Sequence, residues 1–99
     1  MNIRPAFAKS LRAFRRHKGV TQEDFSEVSS RTYISQLERG LKSPTLDMVE
    51  VLAQPLDVHP LSLVVMAYLG NEGDAGLEGL LSRVREEVTA CKEASTGER

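Results

Sequence analysis

The sequence predicts an all-α fold, five helices in one domain followed by a C-terminal amphipathic helix. Three observations carry that prediction. Apolar residues recur at intervals of three and four along most of the chain, no stretch alternates with period two, and residues able to cap a helix precede several of the apolar runs. At 99 residues the chain is a single domain, because cores divide only at well over twice that length. With 40% hydrophobic and 27% charged residues it has the composition of a folded globule, not of a disordered tail or a fibre.

The first helix is expected over residues 5–18. Phe7, Leu11 and Phe14 form its buried stripe, and Lys18-Gly19 supplies a basic last turn and a left-handed stop. Thr21-Gln22-Glu23-Asp24 reads as a capping box, so a second helix of about two turns starts at Gln22 and buries Phe25 and Val28. Either Ser29 or Ser30 can cap a third helix, with Tyr33, Ile34 and Leu37 inward and Gly40 as its stop. Thr45 caps a fourth, which buries Leu46, Val49, Leu52, Ala53 and Leu56. Pro55 should end or kink it around Gln54, since proline lacks the amide proton and collides with the preceding turn. The fifth helix is expected over Pro60–Leu69, opening on a first-turn proline. Its apolar residues cover nearly the whole circumference, so it must be buried on more than one side.

Four glycines in residues 70–79 mark a linker. Beyond them Leu80, Leu81, Val84, Val88 and Cys91, preceded by Leu77, again recur at three and four, which predicts a sixth helix within 80–99 and a frayed end from Glu93. Cys91 on that apolar stripe is expected to be ordinary packing.

Charge is divided along the chain. Through Lys42 nine basic residues face four acidic ones, a net of +5, whereas from Ser43 four basic face ten acidic, a net of −6. The overall −1 therefore conceals one half suited to polyanions and one that is not.

At this point the residues resemble a known family. Leu11-Arg12 and Arg15, then Val20-Thr21-Gln22-Glu23-Asp24-Phe25, then Tyr33-Ile34-Ser35-Gln36-Leu37-Glu38-Arg39-Gly40, Pro44-Thr45-Leu46 and Leu56-Asp57-Val58 follow the order and spacing of the Cro/phage-repressor (XRE-type) helix-turn-helix regulators. The resemblance spans residues 11–63 and implies that residues 1–69 are a repressor-like DNA-binding domain. The stretch from Thr21 to Tyr33 is about two residues shorter than the commoner family spacing and lacks its usual glycine, so the turn must be tighter.

Residue roles follow from chemistry and from the resemblance together. Burying Ile34 and Leu37 turns Arg31, Thr32, Ser35 and Gln36 outward. Arginine can donate twice to guanine O6 and N7, glutamine can pair with adenine N6 and N7, and threonine can touch a thymine methyl. The resemblance places base reading at those four positions. Gln22, at the start of the second helix, together with Arg39 and Lys42 beside the glycine stop, is expected on backbone phosphates. The resemblance also implies that Arg15 and Glu38 form a structural ion pair.

The implied activity is that of a sequence-specific, dimeric transcriptional regulator reading a near-palindromic DNA operator through the major groove. Its homodimer surface is expected on Pro60–Leu69, with residues 80–91 a second candidate. The same fold also serves antitoxins and controllers of restriction systems. An alternative from another class is a protein-binding adaptor that uses the helix-turn-helix as scaffold and docks its last helix on a partner. No catalytic constellation, cofactor or metal-ligand spacing is expected, as only His17, His59 and Cys91 supply imidazole or thiol. With no apolar leader at Met1-Asn2-Ile3-Arg4-Pro5 and no apolar run approaching the ~20 residues of a spanning helix, the cytoplasm is the expected compartment, nucleoid-associated when DNA is bound.

Overall fold

The computed structural model describes residues 2–96 and is helical throughout, with no strand among them. In chain order it comprises α1 (Ile3–Lys18), a single 3-10 turn (Gln22–Phe25), α2 (Arg31–Glu38), α3 (Leu46–Leu56), α4 (Pro60–Leu69) and α5 (Asp74–Thr96).

Local chemistry sets most of the boundaries. Asn2 caps α1, and Gly19 ends it at φ 69°, donating back to the carbonyls of Arg15 and Arg16. Thr21 and Asp24 form the reciprocal capping box, with the Thr21 amide donating to Asp24 Oδ2 at 2.8 Å and the Asp24 amide to Thr21 Oγ1 at 3.3 Å. Of the two candidate serines Ser30 is the cap of α2, accepting from the Tyr33 amide at 3.1 Å, and Thr45 caps α3 in the same way through Met48. His59 Nδ1 accepts the Leu61 amide at 3.0 Å and caps α4, where Pro60 takes a first-turn position.

Several expectations are corrected, among them the burial of Leu46, which is 85% exposed at the first position of α3. The second helix is one 3-10 turn instead of two α turns, because the shortened segment before Ser30 leaves room only for the capping box and the burial of Phe25. Helix α3 continues through Pro55 to Leu56. The proline falls in the last turn, where only one backbone bond is forfeited, and the stop is Asp57 in the left-handed region at φ 55°. The linker is shorter than 70–79, because α5 already begins at Asp74 and incorporates Gly76 and Gly79. At its other end α5 remains helical through Thr96, so no fraying is seen from Glu93 to that point; residues 97–99 lie outside the described part.

The core gathers Phe7, Leu11, Phe25, Ile34, Leu37, Val49, Leu52, Leu56 and Leu63, contributed by every element except α5. Helix α4 lies mainly along α1, and the buried Ser10 hydroxyl fastens the two by donating to the Leu63 carbonyl at 2.7 Å. Helix α5 packs against α4 alone. It lengthens the molecule, whose radius of gyration of 15.5 Å exceeds the ~13 Å of a compact chain this size. No single described helix is long and apolar enough to cross a membrane, and α3 and α4, which reach that length only together, bend by 105° at their junction.

Candidate nucleic-acid interface

Ile34 and Leu37 are fully buried, which fixes the rotation of α2 about its axis. The consequence is visible on the opposite edge. Arg31 and Thr32 are exposed, while Ser35 and Gln36 are partly exposed. The four candidate readers therefore do not share one degree of access: the first turn of α2 stands free and the second is half-sheltered. The Arg31 guanidinium lies 3.9 Å from the Glu23 carboxylate, with 71% of each side chain exposed, a contact too solvated to immobilise the arginine.

Below this edge Glu38 is a junction. Only 4% exposed, it accepts from Arg15 Nε at 2.6 Å and Arg15 Nη2 at 3.0 Å, a two-pronged pair between α1 and α2. Gln22 Nε2 donates to the same carboxylate at 3.0 Å, which ties the 3-10 turn to α2. Arg15 Nη1 also donates to the Val20 carbonyl at 3.3 Å, and Arg12 Nη1 to the Glu38 backbone carbonyl. Hydrogen bonding to Glu38 holds the Arg15 guanidinium more basic than usual, against the opposing effect of burial and with the direct attraction of the carboxylate adding to it.

Gln22 thus already has one amide proton committed inside the protein, and the short 3-10 turn beneath it offers little of the helix dipole expected there. Arg39 and Lys42 are both exposed at the far end of α2, on either side of Gly40 and Leu41. Two participants escaped sequence reasoning. Arg12 lies one turn from Arg15 on the same face of α1, a spacing that signals a shared target, and Glu23 beside Arg31 could be foreseen only with the turn geometry in hand.

Comparison with known proteins gives consistent results. The helix-turn-helix family profile matches residues 11–63. The chain is 39% identical over 66 residues to an uncharacterized HTH-type transcriptional regulator of Sinorhizobium fredii, a match covering 65% of this chain and 86% of that one. It is 37% identical over 73 residues to control protein C.BamHI of Bacillus amyloliquefaciens, covering 71% and 90%, and 32% identical over 74 residues to control protein C.SmaI of Serratia marcescens, covering 73% and 88%. Among solved structures, the clp gene regulator ClgR of Corynebacterium glutamicum superposes with a TM-score of 0.62 at 26% identity, over 94% of this chain and 93% of that one.

Proposed function

The chain belongs to the helix-turn-helix family of DNA-binding transcriptional regulators, and from that premise we propose that it acts as a sequence-specific homodimer on a near-palindromic operator. The observation that carries the reading is the exposed polar edge of α2 opposite fully buried Ile34 and Leu37. In this reading the edge enters the major groove. Arg31 and Gln36 donate to base edges, Thr32 and Ser35 add shorter contacts, and Gln22 (through its remaining amide proton), Arg39 and Lys42 hold phosphates. Arg15 and Glu38 set the crossing of α1 and α2 and touch no DNA. The homodimer forms through Pro60–Leu69 and residues 80–91, where Leu61, Met66 and Val84 remain substantially exposed in the isolated chain. Two-fold symmetry then sets half-site centres about one helical turn, ~34 Å, apart.

Likeness to two control proteins favours a narrower version, in which the chain is the controller of a restriction system. The chemistry of such a regulator is binding alone, with no cofactor, carried out in the cytoplasm. The adaptor alternative draws on the uncovered stripe of α5. A salt titration of the full chain on a selected operator separates the two. Phosphate neutralisation predicts that log K falls linearly with log salt at a slope of several units, while an adaptor shows weak or absent DNA binding at every salt concentration.

A further inference from the structure

Helix α5 carries a pattern that the DNA-reading surface does not use. Leu77, Leu81, Val84, Val88 and Cys91 succeed one another at four, three, four and three residues, a seven-residue repeat with two apolar rows. Its outer members are uncovered: Leu81 is 37% exposed, Val84 40% and Val88 52%, and Cys91, expected to be packed, is exposed as well. The reason is geometric. A helix of 23 residues is ~35 Å long at ~1.5 Å per residue, and α5 rests on α4 alone, so its distal half stands clear of the domain. At the base the stripe runs into an open apolar groove of about 490 Å³, lined by Leu77 and Leu81 together with Phe14, Leu61, Val65 and Met66.

We propose that a second copy of this chain covers this stripe by laying its own α5 alongside, parallel and in register, as a short two-stranded coiled coil rooted in the two grooves. This deepens the homodimer reading above and rests on it. The charges flanking the seam select the occupant and its direction. With Leu81 and Val88 in one row and Leu77, Val84 and Cys91 in the other, Glu87, which also pairs with Arg83 of its own helix at 3.1 Å, borders one side and Glu78, Arg85 and Lys92 the other. In a parallel pair Glu87 of each chain meets the partner's Lys92, giving two attractive contacts and no like-charge contact. An antiparallel pair aligning the same rows also has two attractive contacts, Glu78 to the partner's Lys92, but it sets Arg85 against the partner's Arg85 and Glu87 against the partner's Glu87. The seam spans only about two repeats and is marginal alone, so the grooves, which receive the partner's Leu77 and Leu81, supply the remaining burial.

Cys91 is the single cysteine of the chain and serves as a one-position ruler. Helix axes ~10 Å apart, each with Cα atoms at ~2.3 Å radius, bring the two Cys91 Cα atoms within ~6 Å, inside the ~4.4–6.8 Å range of a disulfide. The antiparallel register separates them by ~15 Å. The experiment treats the dilute full chain with diamide, whose N=N bond takes up the two electrons and two protons released as two thiols become one disulfide. Light scattering of the untreated protein gives its stoichiometry.

The expected result is a dimer that oxidises to a covalent dimer in high yield. Val84→Glu/Val88→Glu should be monomeric with its helical circular dichroism retained. Glu87→Lys should weaken the dimer about two- to ten-fold, and adding Lys92→Glu should restore it. A dimer that does not cross-link at Cys91, or that survives Val84→Glu/Val88→Glu unchanged, overturns the seam and leaves the homodimer reading standing. A monomer overturns both.

Discussion

Glu38 is the residue on which the helix-turn-helix depends. It receives the forked guanidinium of Arg15 and the amide of Gln22 while almost wholly buried, and Arg12 closes on its backbone carbonyl. Removing a carboxylate from such a position leaves Arg15, itself only 18% exposed, without its counter-charge. Glu38→Ala should therefore lower unfolding free energy by about 2–4 kcal/mol in chemical denaturation, and further substitution Arg15→Met should recover part of the loss. The raised basicity of Arg15 gives the sign of its pH dependence. A base whose affinity for its proton increases on folding contributes stability that is fully present at lower pH and disappears as pH climbs through its folded value, which here lies in strongly alkaline solution. The Arg15 contribution is accordingly constant across the neutral range.

Among the elements, what is decided within four residues was legible and what is decided by docking was not. Thr21 and Thr45 cap where the sequence places them, and Ser30 is one of the two serines it offers, because a hydroxyl accepting from an amide two or three residues on is a local event. The spacing does not reveal the start of α5, because Gly76 and Gly79 each disfavour a helix by ~1 kcal/mol, a cost that the contact of α5 with α4 helps to offset. The capping box is the same for an α-helix and a 3-10 turn, so the sequence does not distinguish them. Two glycines are required by backbone conformation. Gly19 and Gly40 both have left-handed φ, at 69° and 74°, but a Cβ at Gly19 meets nothing within 4 Å, while one at Gly40 comes within 3.4 Å of the Pro5 backbone. Thermal unfolding should show Gly19→Ala and Gly40→Ala each losing about 1 kcal/mol from conformation, since 3.4 Å is an ordinary van der Waals contact. A clearly larger loss at Gly40 would mean that the Pro5 backbone does not accommodate the added methyl group.

For the whole molecule, one turn-tightened domain presents the first turn of α2 to solvent and sends a long, partly uncovered helix away from its core. The basic part of the sequence, through Lys42, contains all of the candidate DNA contacts, and the acidic remainder contains both candidate dimer surfaces. That division was legible from charge and apolar spacing. The unequal access of Arg31 and Gln36 was not, since it depends on how deeply neighbouring elements flank the second turn of α2. The most direct test of the central claim is selection of bound duplexes from a random pool, using the full chain and its Arg31→Ala/Gln36→Ala variant. The account predicts a two-fold symmetric consensus for the native chain. It also predicts that preference will vanish in the variant, at ~1–3 kcal/mol per lost base contact, while helical circular dichroism persists. An unchanged consensus in the variant, or none with the native chain, would contradict it.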